Sequence, residues 1–268
     1  MLFGIRQRQQ QQAQDGSSAV LRGLVTTCVL IGLWALAVAV FKPAPFILPG
    51  PLRVADALAN QFSSLMHHAG ITLVEILLGL FIGTVLGVAT ALSVNASRLA
   101  QRYVLPLILA SQALPVFAIA PLLVLWFGLG LGSKIAMATL IIYFPVASAL
   151  NDGLARADRN FIDIARMYGA TPLQTLLKFR LPSAIPSLAS GIRVAATVAP
   201  IGAIVGEWVG ASGGLGYIIN QANARMQTDI VFAGLVLLII MVVLLRLAVD
   251  IILDKLVFWA PRTTISFA

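Results

Sequence analysis

Residues 163–182 read DIARMYGATPLQTLLKFRLP, and this stretch decides how the rest of the chain is understood. It lies between hydrophobic blocks, is polar enough to leave a membrane, and is punctuated for two helices. Just upstream, Asp158 can cap a short helix in which Phe161, Ile164, Ala165 and Tyr168 recur at i, i+3, i+4 and i+7. That spacing makes one apolar stripe, with Arg159, Asp163 and Arg166 on other faces. Gly169 stands where a residue closing a helix must take positive φ. Thr171-Pro172-Leu173-Gln174 then offers a threonine cap, proline at the first helical position and glutamine reaching back, a capping-box start. Leu181-Pro182 is expected to end this second helix, because proline pushes the preceding residue out of the α region. By spacing alone, helix–glycine turn–helix suits a solvated connector resting on lipid as well as it suits a docking element.

Composition places that element beside a membrane. The 268 residues are 59% hydrophobic and only 10% charged, whereas a soluble domain carries about a quarter charged residues. The mean hydropathy is +0.96. Net charge is +8, but the basic residues are spread between apolar blocks rather than gathered on one face, which argues against nucleic acid as a partner. Cys28 is the single cysteine and falls inside an apolar block, so the chain holds no disulfide framework and Cys28 is read as a small buried hydrophobe.

Six spans follow, about 20–41, 69–94, 104–127, 133–150, 186–211 and 230–253, the first long enough at about 1.5 Å per residue to cross a hydrocarbon core of about 30 Å. Residues 1–18, with RQRQQQQAQ, read as a disordered cytoplasmic tail. The apolar block after them is too long for a secretory leader and lacks a small-residue cleavage site. Residues 19–268 form one transmembrane domain, with 151–185 as its main connection on the side of the termini. Residues 52–67 are expected to be an amphipathic helix at the outer surface, ending in an interfacial His67-His68 pair that lacks the companions a metal site needs. Gly79, Gly83 and Gly87 repeat every four residues and predict close approach of another helix backbone. Pro106, Pro115 and Pro121 predict a kinked or unwound third span. Pro145 is expected to kink the fourth. Gly128-Leu-Gly-Leu-Gly132 makes an outer turn; no G-K-[ST] follows, so it is not a phosphate loop.

Basic residues set the orientation. Arg6, Arg8, Arg22, Arg98, Arg102, Arg156, Arg159, Arg166, Lys178, Arg180, Lys255 and Arg262 fall on the side shared by the termini and residues 151–185. Lys42, Arg53, Lys134 and Arg225 fall on the other. The positive-inside rule therefore makes the first side cytoplasmic. Arg193 and Arg246 lie within spans near their inner ends and are expected to snorkel.

Two carboxylates are read inside apolar blocks. Glu75, near an outer end, is expected to be solvated. Glu207 lies deeper, among Gly206, Gly210, Gly213, Gly214 and Gly216, and an ionisable group there needs a partner. Two readings stay open: a pathway or gate residue, together with Trp208 and Gly210, or a carboxylate satisfied by helix-end amides of the 212–216 turn. No nucleophile, base and orienting group occur together, and no Walker lysine is present.

The quoted stretch resembles the EAA loop of permease subunits of binding-protein-dependent ABC importers, E-A-A-x3-G-x9-I-x-L-P. Asp163, Ala165, Gly169, Leu181 and Pro182 fall at the motif's positions, and the departures are Asp163 for Glu, Ile164 for Ala and Phe179 for Ile. The resemblance extends over about 47–260, including the G-E-W-V-G-A-S-G-G-L-G-Y segment at 206–217. It looks most like permeases for nitrate, taurine, alkanesulfonates and the hydroxymethylpyrimidine precursor of thiamine. It implies an all-α polytopic fold of the type I importer class in a bacterial inner membrane. It implies a transport subunit without catalytic residues, metal or cofactor of its own, with ATP bound by a separate subunit. Asp163, Ala165, Gly169, Leu181 and Pro182 would couple to that ATPase. The other implied partners are an extracytoplasmic binding protein and a second permease, expected to be an identical copy. Hydroxymethylpyrimidine is preferred as substrate over sulfonates, taurine or nitrate. The competing class is a stand-alone carrier, for which inverted repeats and polar midplane residues are not evident.

Overall fold

The computed structural model describes residues 22–23, 25–111 and 115–259. The tail at 1–18 and Arg262 lie outside them. The described residues contain helices and no strand. In order they are α1 (Val25–Phe41), α2 (Pro51–Asn60), α3 (Phe62–Ala96), α4 (Arg98–Ser111), α5 (Val116–Phe127), α6 (Leu131–Ala155), α7 (Arg159–Met167), α8 (Pro172–Thr175), a π turn (Leu176–Arg180), α9 (Leu181–Gly210), α10 (Leu215–Ala224) and α11 (Thr228–Leu256). Four stretches are long and apolar enough to span a bilayer, Phe62–Ala96, Leu131–Ala155, Pro172–Gly210 and Thr228–Leu256. Val25–Phe41 and Val116–Phe127 are shorter apolar helices.

The chain divides into two compact units. One holds the residues through Phe62 with Ala222–Ala233, and the other holds Ser63–Gln221 with the residues from Gly234 onward. In the first, Trp34 of α1 stacks on Phe232, with centroids 5.5 Å apart. Thr228 donates to the Pro45 carbonyl at 3.1 Å. Cys28 is exposed, not buried as expected.

The second unit is organised around α6, which takes glycine faces from two neighbours. A Cβ added at Gly79, Gly83 or Gly87 of α3 would stand 2.5 Å from Ala138, 2.7 Å from Ile142 and 3.0 Å from Val146, respectively. The pairs advance together, so α3 and α6 run in the same direction. On α9, Gly206, Gly202 and Gly191 meet Lys134, Ala138 and Ala149 in descending order, so α9 is antiparallel to α6. Backbones this close leave no room for side chains, and the glycine stripe is therefore a packing device. Because α3 and α6 are parallel, residues 97–130 must return to the starting side, so α4 and α5 together make one crossing. Ile76, Ala138, Ile142, Val146, Ala195 and Ala199 form the adjoining core.

The third span is two helices separated at Pro115, which takes φ −65° and ψ 114°, in line with the kinked or unwound span expected there. Other elements depart from the sequence reading. The amphipathic outer helix ends at Asn60, and residues 62–67 instead begin the 35-residue α3. Pro145, expected to kink the fourth span, does not end α6. Leu181-Pro182 does not end its helix either, because Leu181 is α-helical at φ −63° and ψ −49° and α9 continues through it. The π turn explains the difference. Its wider ring, closed by Leu181 N–H donating to the Leu176 carbonyl, accommodates a residue that cannot donate from its own nitrogen.

Candidate functional site

The α6–α9 connection carries the helix pair. Asp158 caps α7 by accepting from the Asn160 amide at 2.9 Å. Gly169 has φ +75°, with the Ala170 amide donating to the Ala165 carbonyl and the Gly169 amide to that of Arg166, which closes α7 as a glycine-terminated helix. Thr171 and Gln174 exchange both capping-box hydrogen bonds. Most of the apolar stripe does not pack on its own chain. Ala165 is buried, whereas Phe161 and Ile164 are 61% and 48% exposed, and Met167 and Tyr168 are 87% and 89% exposed. Asp163 reaches Arg166 at 3.5 Å, but both side chains are mostly solvated, so the pair contributes little.

The helix pair is tied to the bundle by Arg180, at the end of the π turn. Its Nε and Nη2 donate to the Leu154 carbonyl at 3.0 and 2.8 Å, and Nη2 donates to Asn95 Oδ1 at 2.9 Å. Asn95 Nδ2 in turn donates to Asn151 Oδ1 and to the Ala91 carbonyl, each at 2.9 Å. Ala91, Leu150, Leu154, Leu176 and Ala184 pack alongside as an apolar cluster.

At the far end of α6 and α9 lies a buried polar cluster. Glu207 is 2% exposed and accepts from Thr72 Oγ1 at 2.6 Å, from the Gly216 amide, and from the Tyr217 amide at 3.3 Å. Its carboxylate therefore sits at the N-terminus of α10, where free amides and the helix dipole favour an anion. Of the two readings open from sequence, helix-end amides are what this side chain meets. Thr72 also accepts from the Leu215 amide at 2.8 Å, and His68 Nδ1 accepts from the Gly214 amide at 3.0 Å. His68 is thus part of this lock rather than a plain interfacial residue. Glu75 corrects the expectation of solvation: it is 1% exposed, adjoins Glu207, and has one oxygen without a hydrogen-bond partner. Lys134, counted from sequence as an outer surface charge, is also buried. Its ammonium donates to the Leu129 carbonyl and, at 2.8 Å each, to those of Gly130 and Gly210. Gly210 thereby joins the lock. Trp208 points elsewhere and is 49% exposed. No cluster of metal-ligating side chains occurs among the described residues.

Two further features were missed from sequence. Arg193 and Arg246 do not simply snorkel. Arg193 pairs with Asp250 at 2.9 Å and Asp254 at 2.7 Å, and Arg246 pairs with Asp250 at 2.9 Å and donates to the Arg193 carbonyl. Asp250 and Asp254, four apart within or beside the last apolar block, were the available signal. The second feature is the exposed side of α9, the best-buried long helix. Ser190, Val194, Thr197, Ile201 and Trp208 follow a 4-3-4-7 spacing and form one exposed stripe along it.

Comparison with known proteins agrees with this architecture. A solved structure of the MetNI methionine ABC transporter, inward facing, matches with a TM-score of 0.64 at 24% identity, over 73% of this chain and 97% of that one. It supports the fold. A "Probable ABC transporter permease protein" of Haemophilus influenzae is 45% identical over 239 residues, 89% of this chain and 98% of its own length. The "Formylaminopyrimidine transport permease protein ThiX" of Halalkalibacterium halodurans is 35% identical over 219 residues, 81% of this chain and 88% of that protein. The family model described as "Binding-protein-dependent transport system inner membrane component" matches residues 83–259. The chain belongs to this family of binding-protein-dependent inner membrane transport components and is a multi-pass permease subunit of an ABC importer.

Proposed function

We propose that two copies of this chain enclose the translocation pathway of an ATP-driven importer, with α7 and α8 as the elements on which a separate ATPase subunit acts. The exposure of Phe161, Ile164, Met167 and Tyr168 carries this reading. An apolar helix face left uncovered on a rigidly capped helix pair suits insertion into a partner. Asp163, Ala165 and Gly169 shape that pair, and Leu181 and Pro182 lead without interruption into α9. Movement of the helix pair would then tilt α9 and turn its exposed stripe, from Ser190 to Trp208, between the two sides. Glu207 and Gly210 act in this reading by holding the far end of α9 to its neighbours rather than by touching solute.

The connection end is assigned to the cytoplasm. Arg156, Arg166, Lys178 and Lys255 lie at this end, and the positive-inside rule places such residues there. At the far end of the second unit, the Lys134 ammonium is committed to three carbonyls and no longer weighs against that orientation. The substrate is a small polar solute delivered by a binding protein, with a thiamine-precursor pyrimidine preferred. Support for that preference is the resemblance and the name of the 35%-identical relative; sulfonate, taurine and nitrate are the alternatives.

The test is gentle purification of the tagged chain, followed by reconstitution with its binding protein and ATP inside liposomes. A stoichiometric ATPase subunit and ATP-dependent accumulation are expected. A chain that purifies alone and still moves solute overturns the reading in favour of a carrier.

A further inference from the structure

Arg180 occupies the position between Phe179 and Leu181 that the loop motif leaves open, and the role of an ATPase-coupled permease proposed above supplies the premise here. The carbonyls in the last turn of a helix have no partner within it, and Leu154 O is one of these in α6, which ends at Ala155. Two nitrogens of one guanidinium close on that carbonyl, and one of them also holds Asn95, next to last in α3. Asn95 completes the circuit by bonding Asn151 of α6. One side chain covalently attached to the start of α9 therefore grips the ends of both α3 and α6.

We infer that Arg180 is the positioning residue that makes α3 and α6 follow when the helix pair α7–α8 moves α9. The π turn passes a displacement directly to α9, and Arg180 adds a link from the same point to the ends of α3 and α6. Arg180 converts the displacement into a concerted movement, because its planar fork fixes direction as well as distance. A lysine keeps the charge but offers a point donor that cannot hold the Leu154 carbonyl and Asn95 in the same fixed geometry. The surrounding cluster of Ala91, Leu150, Leu154, Leu176 and Ala184 does not depend on the guanidinium, so the helices remain packed without it.

The experiment uses the complete complex of permease, ATPase subunit and binding protein in liposomes, and measures solute accumulated per ATP hydrolysed. In Arg180→Ala, hydrolysis continues and the ATPase subunit remains stoichiometric, but this ratio falls about tenfold or more, the scale of one lost charge-assisted interaction between helices. Arg180→Lys restores part of it. Asn95→Ala, which leaves the α6 cap in place, lowers the ratio less, and it carries the test if Arg180→Ala fails to reach the membrane. An unchanged ratio in Arg180→Ala, or in Asn95→Ala where it stands in, overturns the inference. So does loss of the ATPase subunit from Arg180→Ala, which would make Arg180 a docking residue. Failure of the premise looks different: the wild-type chain itself would then show no ATP-dependent accumulation.

Discussion

Replacing Glu207 with leucine should release α10 while leaving the α6–α9 packing intact. The carboxylate accepts from Thr72, Gly216 and Tyr217, and leucine accepts from none of them. Tyr217 is half-exposed, and its amide can turn to water. The Gly216 amide is buried; leaving it unpaired costs about 1–3 kcal/mol, and the charge-assisted bond from Thr72 adds about 1.5–3 kcal/mol. Taking the lower part of that range, because α10 can relax outward, gives ~3 kcal/mol, or about 100-fold in the local opening equilibrium. Hydrogen–deuterium exchange of peptides covering 212–224, in detergent or nanodiscs, reads this directly. Glu207→Gln keeps one acceptor and should give about tenfold, consistent with a loss of ~1.4 kcal/mol. Exchange in Glu207→Leu within about threefold of wild type would refute the reasoning, since opening would then not be governed by this carboxylate.

Two other perturbations follow from the packing. Gly79→Leu drives a side chain into Ala138, which a Cβ alone would approach at 2.5 Å. Overpacking of this kind costs about 1–3 kcal/mol, so thermal unfolding in detergent should begin at lower temperature, whereas Gly70→Leu, with nothing within 4 Å, should be neutral. Equal effects at the two positions would remove the close-approach account of the glycine stripe. In the α9–α11 network Asp250 pairs with both Arg193 and Arg246, and the more exposed Asp254 pairs with Arg193. Asp250→Ala is expected to cost ~2 kcal/mol against ~1 kcal/mol for Asp254→Ala, as partly screened pairs should. Denaturant or thermal titration of the two variants checks that order.

The local punctuation of the chain was legible in its sequence. Asp158, Gly169 and the Thr171–Gln174 box act within a turn or two of themselves, so residue identity and spacing define them. The glycines of α3 were legible as a close-packing face, although the identity of α6 as their neighbour was not. The polar cluster was only half readable. Glu207 demanded a partner and its glycine-rich turn was nearby, but Thr72 lies 135 residues away and nothing local announces it. Glu75 and Lys134 lie near span ends in the sequence, but distance along the chain from a span end does not measure depth. Burial depends instead on which neighbouring helix covers them. Leu181-Pro182 misled for a different reason: a proline rule written for regular helices does not allow for a π turn that changes the hydrogen-bonding register one turn earlier.

Gly169 provides the most direct test of the central claim, that movement of the α7–α8 pair drives transport. Its φ of +75° is closed to proline, whose ring holds φ near −65°, and its amide hydrogen bond to Arg166 would also be lost. An added Cβ there meets nothing within 4 Å, so the damage from Gly169→Pro is confined to the turn. The measurement is ATP-driven uptake by cells or liposomes carrying this variant, alongside its level in the membrane. Uptake abolished with the protein still present in the membrane is the predicted result; normal uptake would contradict the account.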